Sequence, residues 1–200
     1  NKKLDFPDEC YQGHYIYDIA QILIDKYGST LLNDKNNLLF KETAEQHIFN
    51  DIKNTLKKIH IEFDNFFNED SLYKNKAIFD VVKSLKDKGL IYEKDGATWF
   101  KGSEIGRPND KVLIKSTGEP TYRLPDIAYH KDKLDRKFNL IIDIFGADHM
   151  DAYPDVLAAL EQLGYDMNKI SVLIHQFATV TENGESVKMS TRKANFITLD

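Results

Sequence analysis

The sequence predicts an α/β fold: half of a doubly wound parallel sheet, preceded by a helix-rich region that ends in a small β-hairpin. Three observations predict it. Apolar residues recur at helical spacing as far as about Lys88. The pattern then changes to short strands around a turn signal, Lys94-Asp95-Gly96. From about Thr121 onward, helices alternate with nearly continuous apolar runs, the βαβ rhythm of a parallel sheet.

A first helix is expected from about Gln12 to Tyr27, with Ile16, Ile19, Leu23 and Ile24 at helical spacing and Gly28 after its end. A second runs from about Lys41 to Ile59, with Ile48, Ile52, Leu56 and Ile59 on one stripe. Residues 60–70 are aromatic and acidic and read as a connector. Ser71 is placed to cap a third helix that continues to about Lys88, and Gly89 stands where a left-handed residue ends a helix. Strands follow at 90–93, 97–100 and 111–115, with a turn at Thr117-Gly118-Glu119-Pro120. A helix near 122–131, a strand at 139–145, a helix at about 151–163 and a strand at 170–175 complete the alternation. Both of these strands read as buried. Val180 to Val187 reads as a last hairpin.

Hydrophobic residues make up 42% of the 200, with 12 Phe and 10 Tyr, which is ample for a packed core. The formal net charge of −5 excludes a whole-surface nucleic-acid binder, so any RNA contact needs a local basic patch or another part of the protein. The single cysteine, Cys10, excludes an internal disulfide and a cysteine-built metal site, and fits a reducing compartment. No apolar run approaches the roughly 18 residues of a membrane span, and no secretory signal is visible. The chain starts at Asn1 without Met and stops at Asp200 on an apolar-rich segment, so a piece of a longer protein is expected.

Four places can carry chemistry. Gly146-Ala147-Asp148-His149 follows the strand at 139–145, where open parallel sheets bind ligands. A ribose or substrate contact and a helix N-cap by Asp148 or Asp151 both fit that spacing. Asp148, His149 and Asp151 also admit a metal reading, but no second ligand cluster accompanies them, and no tightly bound metal is expected. Tyr122 and Asp126 are four residues apart and share one helix face. They can wall a pocket for a planar cation, or serve as a packed ring and a cap. His130 and His175 read as structural or exposed. Lys188-Met189-Ser190-Thr191-Arg192-Lys193 is a loop whose ammonium and backbone N–H groups can close over a triphosphate, or simply be solvated. No nucleophile-and-base set stands out, which points to catalysis by positioning and charge stabilisation.

That last loop resembles the KMSKS signature of class I aminoacyl-tRNA synthetases, and nearly the whole chain resembles the arginyl-tRNA synthetases. The matching pieces occur in the family's order: Tyr11 to Ile16, Phe63-Asp64 with Glu69, Lys88-Gly89-Leu90, Asp95 to Phe100, Thr121 to His130, Gly146 to His149 and Lys188 to Lys193. Thr121-Tyr122-Arg123-Leu124-Pro125-Asp126-Ile127-Ala128-Tyr129-His130 is the most specific of them. The resemblance implies a Rossmann-like catalytic domain. Residues 1–12 would end its first half, 13–115 would be the inserted domain, and 116–200 its second half. It implies that Tyr122, Asp126 and His149 hold arginine. Gly146, Asp148 and His149 would line the nucleotide, together with Lys188 and Met189, while Lys188 and Ser190 act on the ATP phosphates. The implied reaction joins arginine to tRNA(Arg) through arginyl-adenylate, using ATP with Mg²⁺, in a cytoplasmic protein that is monomeric at full length.

Two departures stand beside this. Thr191 replaces the second Lys of KMSKS, as in many arginine enzymes, so the phosphate charge must be met elsewhere. No His-x-Gly-His motif occurs; it is expected before residue 1, and a helical anticodon-reading domain after residue 200. The chain is therefore expected to be inactive alone. The alternatives are a class I synthetase for another amino acid, a non-catalytic RNA-binding module derived from one, and a metal-dependent hydrolase built on Asp148, His149 and Asp151.

Overall fold

The computed structural model describes residues 7, 10–33, 37–176, 178–187, 189–190, 193–194 and 197–199. The chain forms two compact units, residues 1–66 with 179–200, and residues 67–178.

In the first unit, α1 (Tyr15–Tyr27) ends at Gly28, whose positive φ of 62° lets its N–H reach the Ile24 carbonyl. A 3₁₀ segment follows (Gly28–Asn33), then α2 (Asn37–Lys58), which begins about a turn earlier than its stripe suggests because Leu38 and Phe40 extend the helical apolar pattern. The hairpin β6 (Thr181–Glu182) and β7 (Glu185–Ser186) turns on Asn183 and Gly184, both at positive φ.

In the second unit the expected third helix is two. α3 (Asp70–Lys74) and α4 (Ala77–Asp87) are broken at Asn75 and Lys76, the latter at φ 66°. The Asn75 side chain accepts from the Ala77 N–H at 3.0 Å, a local bond that competes with helix continuation. Asn68, not Ser71, supplies the side-chain acceptor at the start, taking the Asp70 N–H at 2.9 Å. The far end closes as expected. Gly89 at φ 70° allows Leu90 N–H to reach Leu85 O and Gly89 N–H to reach Lys86 O, both at 2.9 Å, while Leu85 and Leu90 are buried.

Strands β1 (Ile91–Lys94), β2 (Ala97–Phe100) and β3 (Lys111–Ile114) form an antiparallel sheet in that order. Asp95 and Gly96, at φ 54° and 74°, make the tight turn between the first two. Then come α5 (Arg123–Asp135), β4 (Ile141–Gly146), α6 (Tyr153–Gln162) and β5 (Ile170–His175), with β4 and β5 parallel and in register from Ile141↔Ile170 to Gly146↔His175. One core serves all of this. Leu72, Val81, Leu85, Phe100 and Leu113 pack with Leu124, Ile127, Val156, Ala159 and Leu160, so residues on both sides of position 115 share it.

β4 and β5 are not buried on both faces as their composition suggests. Ile141 and Asp143 point into the core, whereas Ile142 and Ile144 are 54% and 68% exposed, and Leu173 on β5 is also exposed. Alternation along the pleat puts these three on the face away from the core. Among the described residues, no helix is long and apolar enough to cross a membrane.

Candidate active site

Because β4 and β5 are in register, both strands finish level, at Gly146 and His175. The chain leaves β4 through a single 3₁₀ turn, Ala147–His149, before α6 begins. Asp148 and His149 stand exposed in this turn, with Asp148 Oδ2 3.9 Å from His149 Nε2. Neither Asp148 nor Asp151 caps α6; its N-cap position is Ala152, with no side-chain cap. The His149 ring stacks on Phe145, centroids 5.0 Å apart and planes 17° from parallel. A Cβ added at Gly146 would lie 2.6 Å from Asp148 Oδ1, so that side chain would have to move aside. Among the described residues, no group of three or more His, Cys, Asp or Glu is placed to hold a metal ion.

The start of α5 carries the other two candidate residues. Tyr122 occupies the N-cap position, 89% exposed, and its carbonyl accepts from the Asp126 N–H at 3.2 Å. Tyr122 is therefore neither packed nor a side-chain cap. Asp126 is half-buried. Among the described residues no side chain hydrogen-bonds to its carboxylate or ion-pairs with it. Burial pushes its carboxyl above the usual value of 3.8, against the pull of the His130, His149 and Lys133 charges, with Glu69 adding to the rise. A carboxylate so placed favours a cationic ligand, since an incoming charge replaces lost solvation.

Side chains to which the sequence assigns no part in the site tie these elements together: Lys133, Asp143, Asp155, Arg107 and Arg123, with His130, which reads as structural or exposed. His130, one turn below Asp126, is buried; its Nδ1 lies 2.8 Å from the Asp126 backbone carbonyl and its Nε2 2.9 Å from Asp143 Oδ2. Lys133 donates to the other Asp143 oxygen. Burial raises the Asp143 carboxyl, but hydrogen bonds and charge from His130 and Lys133 outweigh it and leave it below 3.8. Asp155, 2% exposed in the first turn of α6, accepts from Arg107 Nε at 2.9 Å and from Arg123 Nε at 3.0 Å. The sequence does carry a signal for Asp143, a lone acid inside Ile141-Ile142-Asp143-Ile144.

The structure thus gathers Tyr122, Asp126, Gly146, Asp148 and His149 within one unit. His175 is exposed opposite Gly146, its Nδ1 3.1 Å from the Gln176 carbonyl. The loop after the last hairpin belongs to the other unit. Met189 is exposed, and Ser190 Oγ accepts from the Lys193 N–H at 3.4 Å. Lys188, with Thr191 and Arg192, lies outside the described residues.

A family model for tRNA synthetases class I (R), catalytic domain, matches residues 17–200. The chain is 56% identical over 198 residues to an arginine–tRNA ligase of Desulfotalea psychrophila, covering 99% of the chain and 36% of that protein. It is 54% identical over 200 residues to the arginine–tRNA ligase of Chlorobium limicola, again covering 98% of the chain and 36% of the relative. The chain therefore spans little more than a third of the length of these curated relatives. The crystal structure of a protein assigned as an arginyl t-RNA synthetase from Campylobacter jejuni superposes with a TM-score of 0.85 at 33% identity, over 99% of the chain and 43% of that structure. Arginyl-tRNA synthetase from Plasmodium falciparum, at 18% identity and a TM-score of 0.58 over 82% of the chain, shares the fold. These likenesses bear out the expected α/β architecture with a Rossmann-like sheet, and the resemblance drawn from the ordered motifs. With the family model matching nearly its whole length, this chain belongs to the class I tRNA synthetases (R), as part of their catalytic domain.

Proposed function

We infer that the polypeptide carrying this chain is an arginine–tRNA ligase, activating arginine with ATP and transferring it to tRNA(Arg). The observation that carries the inference is Asp126. It is a half-buried carboxylate in the first turn of α5, raised by burial and lacking a side-chain partner among the described residues. Tyr122, one turn before it, offers an exposed ring to stack on a planar guanidinium. His149, held against Phe145, faces the same carboxylate electrostatically and closes the arginine end. Gly146 and Asp148 line the ribose, the Gly admitting close backbone approach and the Asp accepting from a hydroxyl.

Lys188, Met189 and Ser190 meet the ATP phosphates, where an ammonium stabilises the charge that grows as pyrophosphate leaves. Mg²⁺ enters with ATP as part of the substrate and neutralises phosphate charge when bound. Residues 13–115 are read as the inserted domain, between the end of the first half of the catalytic domain (1–12) and its second half (116–200). The full-length protein is read as a cytoplasmic monomer, and this chain alone as inactive.

Specificity follows from the same carboxylate. A neutral or shorter amino acid would leave Asp126 buried without its cation, at a cost of about 3–5 kcal/mol by the rule for a broken buried pair. The test is ATP–pyrophosphate exchange by the full-length polypeptide, with tRNA present, across the common amino acids. Exchange with arginine alone is expected. It should lose arginine affinity in Asp126→Ala, and lose rate by roughly 10²–10³ in Lys188→Ala, the scale of removing one transition-state donor. Exchange with a different amino acid would keep the fold and overturn the substrate. Binding of tRNA without exchange would leave a non-catalytic module.

A further inference from the structure

Asp143 is the only acid in β4, three residues before Gly146, and it is 7% exposed. Both its oxygens are engaged, one by His130 Nε2 at 2.9 Å and the other by the Lys133 ammonium. Stability does not account for such a group, because apolar side chains of similar volume usually serve a core at least as well as a buried charge cluster. Its location offers another account. His130 and Lys133 lie on α5, the helix whose first turn carries Tyr122 and Asp126, and β4 runs directly into Gly146, Asp148 and His149. Asp143 is therefore a polar tie between the two elements that carry the candidate residues.

The tie reaches Asp126 itself. His130 sits between two acceptors, the Asp126 backbone carbonyl at 2.8 Å and the Asp143 carboxylate. The ring is held at both nitrogens, one against each acceptor. Orientation of the imidazole by Asp143 in turn fixes the carbonyl of Asp126, and with it the helical turn that aims the Asp126 carboxylate. His130 and Lys133 also act on Asp126 through space, drawing its carboxyl downward against burial.

We propose that Asp143 is a positioning residue for guanidinium recognition: through His130 and Lys133 it holds Asp126 on α5 in register with His149 beyond the end of β4. This rests on the reading of Tyr122 and Asp126 as the arginine site. A carboxylate aimed wrongly by a fraction of an ångström to 1 Å loses about tenfold to a hundredfold in productive binding.

The experiment is steady-state ATP–pyrophosphate exchange with tRNA in the full-length polypeptide, comparing Asp143→Asn, Asp126→Ala and the double variant. Asp143→Asn keeps the shape and removes the charge. It is expected to raise KM for arginine by about tenfold or more, with KM for ATP and kcat within about twofold of the parent. In the Asp126→Ala background the same substitution should add less than about twofold, because a residue acting through Asp126 has nothing left to position. Equal rises in both KM values, or a full multiplicative effect in the double variant, would mark a general loosening and overturn the proposal. If Asp143→Asn does not fold, Lys133→Met removes one of the two ties from the less buried side. The same KM split supports the proposal, and an unchanged arginine KM overturns it. An unchanged arginine KM in Asp126→Ala would instead overturn the underlying site reading, a separate result visible in the same data.

Discussion

Arg123 Nε lies 3.0 Å from Asp155 Oδ2, joining the first turn of α5 to the first turn of α6. The opposite oxygen of the same carboxylate takes Arg107 Nε at 2.9 Å, which brings in the segment before β3. One buried carboxylate thus fastens three elements around the residue next to Tyr122. Removing it strands two guanidiniums. Asp155→Ala is expected to destabilise the protein by about 3–5 kcal/mol, the scale of a broken buried pair. The lower end applies, because the arginine side chains keep 28% and 25% of their surface exposed and solvent compensates part of the loss. Chemical denaturation at constant m-value checks this; a loss under about 1 kcal/mol would show that the pair is only a surface contact.

Asp126 is expected to be a carboxylate that the ligand-free protein tolerates rather than uses. Its carboxyl is raised by burial, so the folded state disfavours the ionised form. The sign follows. For a raised carboxyl, the unfavourable contribution is fully present above the folded value and vanishes below the unfolded one, about 3.9. Asp126→Asn should therefore melt at or above the parent temperature near pH 7 without arginine, with the gain shrinking as pH falls toward 4 or below. The same variant should lose arginine affinity by about 2–5 kcal/mol, the cost of removing one partner of a buried charge pair. A variant that is both less stable at neutral pH and unaltered in arginine binding would assign Asp126 a purely structural role.

Much of this architecture can be read from the chain because its signals are local. Gly28 and Gly89 end helices, Asp95-Gly96 and Asn183-Gly184 turn hairpins, and each occupies the positive φ its position demands. The third helix reads as continuous because a stripe of Ile78, Val81, Val82 and Leu85 does not register that Asn75 bonds the nearby backbone. Composition overstates the burial of β4 because it cannot say how many layers cover a sheet. Tyr122, Asp126 and the Gly146 turn were legible from the motifs, since a spacing of four on a helix and a strand end both have direct spatial meaning. Asp155 and Arg107 are not, and Asp143 shows only as a lone acid in an apolar run, without its partners. Their partners lie 10 to 48 residues away, and nothing in a linear pattern brings Arg107 to Asp155.

Acid should weaken the tie between α5 and β4. Burial raises the Asp143 carboxyl, but His130 and Lys133 carry it below its ordinary 3.8, the opposite net direction from Asp126. A depressed carboxyl adds stability that is fully present above the unfolded value and is lost as pH falls through the folded one. Melting temperatures of the parent and Asp143→Asn, compared from pH 7 to pH 3, should differ by a constant amount down to about pH 4 and converge below it. A gap that stays constant to pH 3 would mean that shape, not charge, is what Asp143 supplies.

Gly146→Ala separates space from folding at the nucleotide end of the site. Gly146 has φ −70° and ψ 162°, a conformation any residue adopts, so the backbone imposes no demand for glycine there. The added methyl would instead lie 2.6 Å from Asp148 Oδ1, with the His175 ring at 3.9 Å. Asp148 is exposed and can swing away, so the fold should lose at most about 1 kcal/mol, in keeping with an off-rotamer side chain. On the proposed role of Asp148 and Gly146, the carboxylate would then no longer stand where it could accept a ribose hydroxyl, and the backbone would no longer admit a ligand closely. The expected outcome in the full-length polypeptide is a near-parental melting temperature with KM for ATP raised about tenfold, the worth of one hydrogen bond to a charged group. A parental KM with the methyl in place would remove Asp148 and Gly146 from the nucleotide pocket.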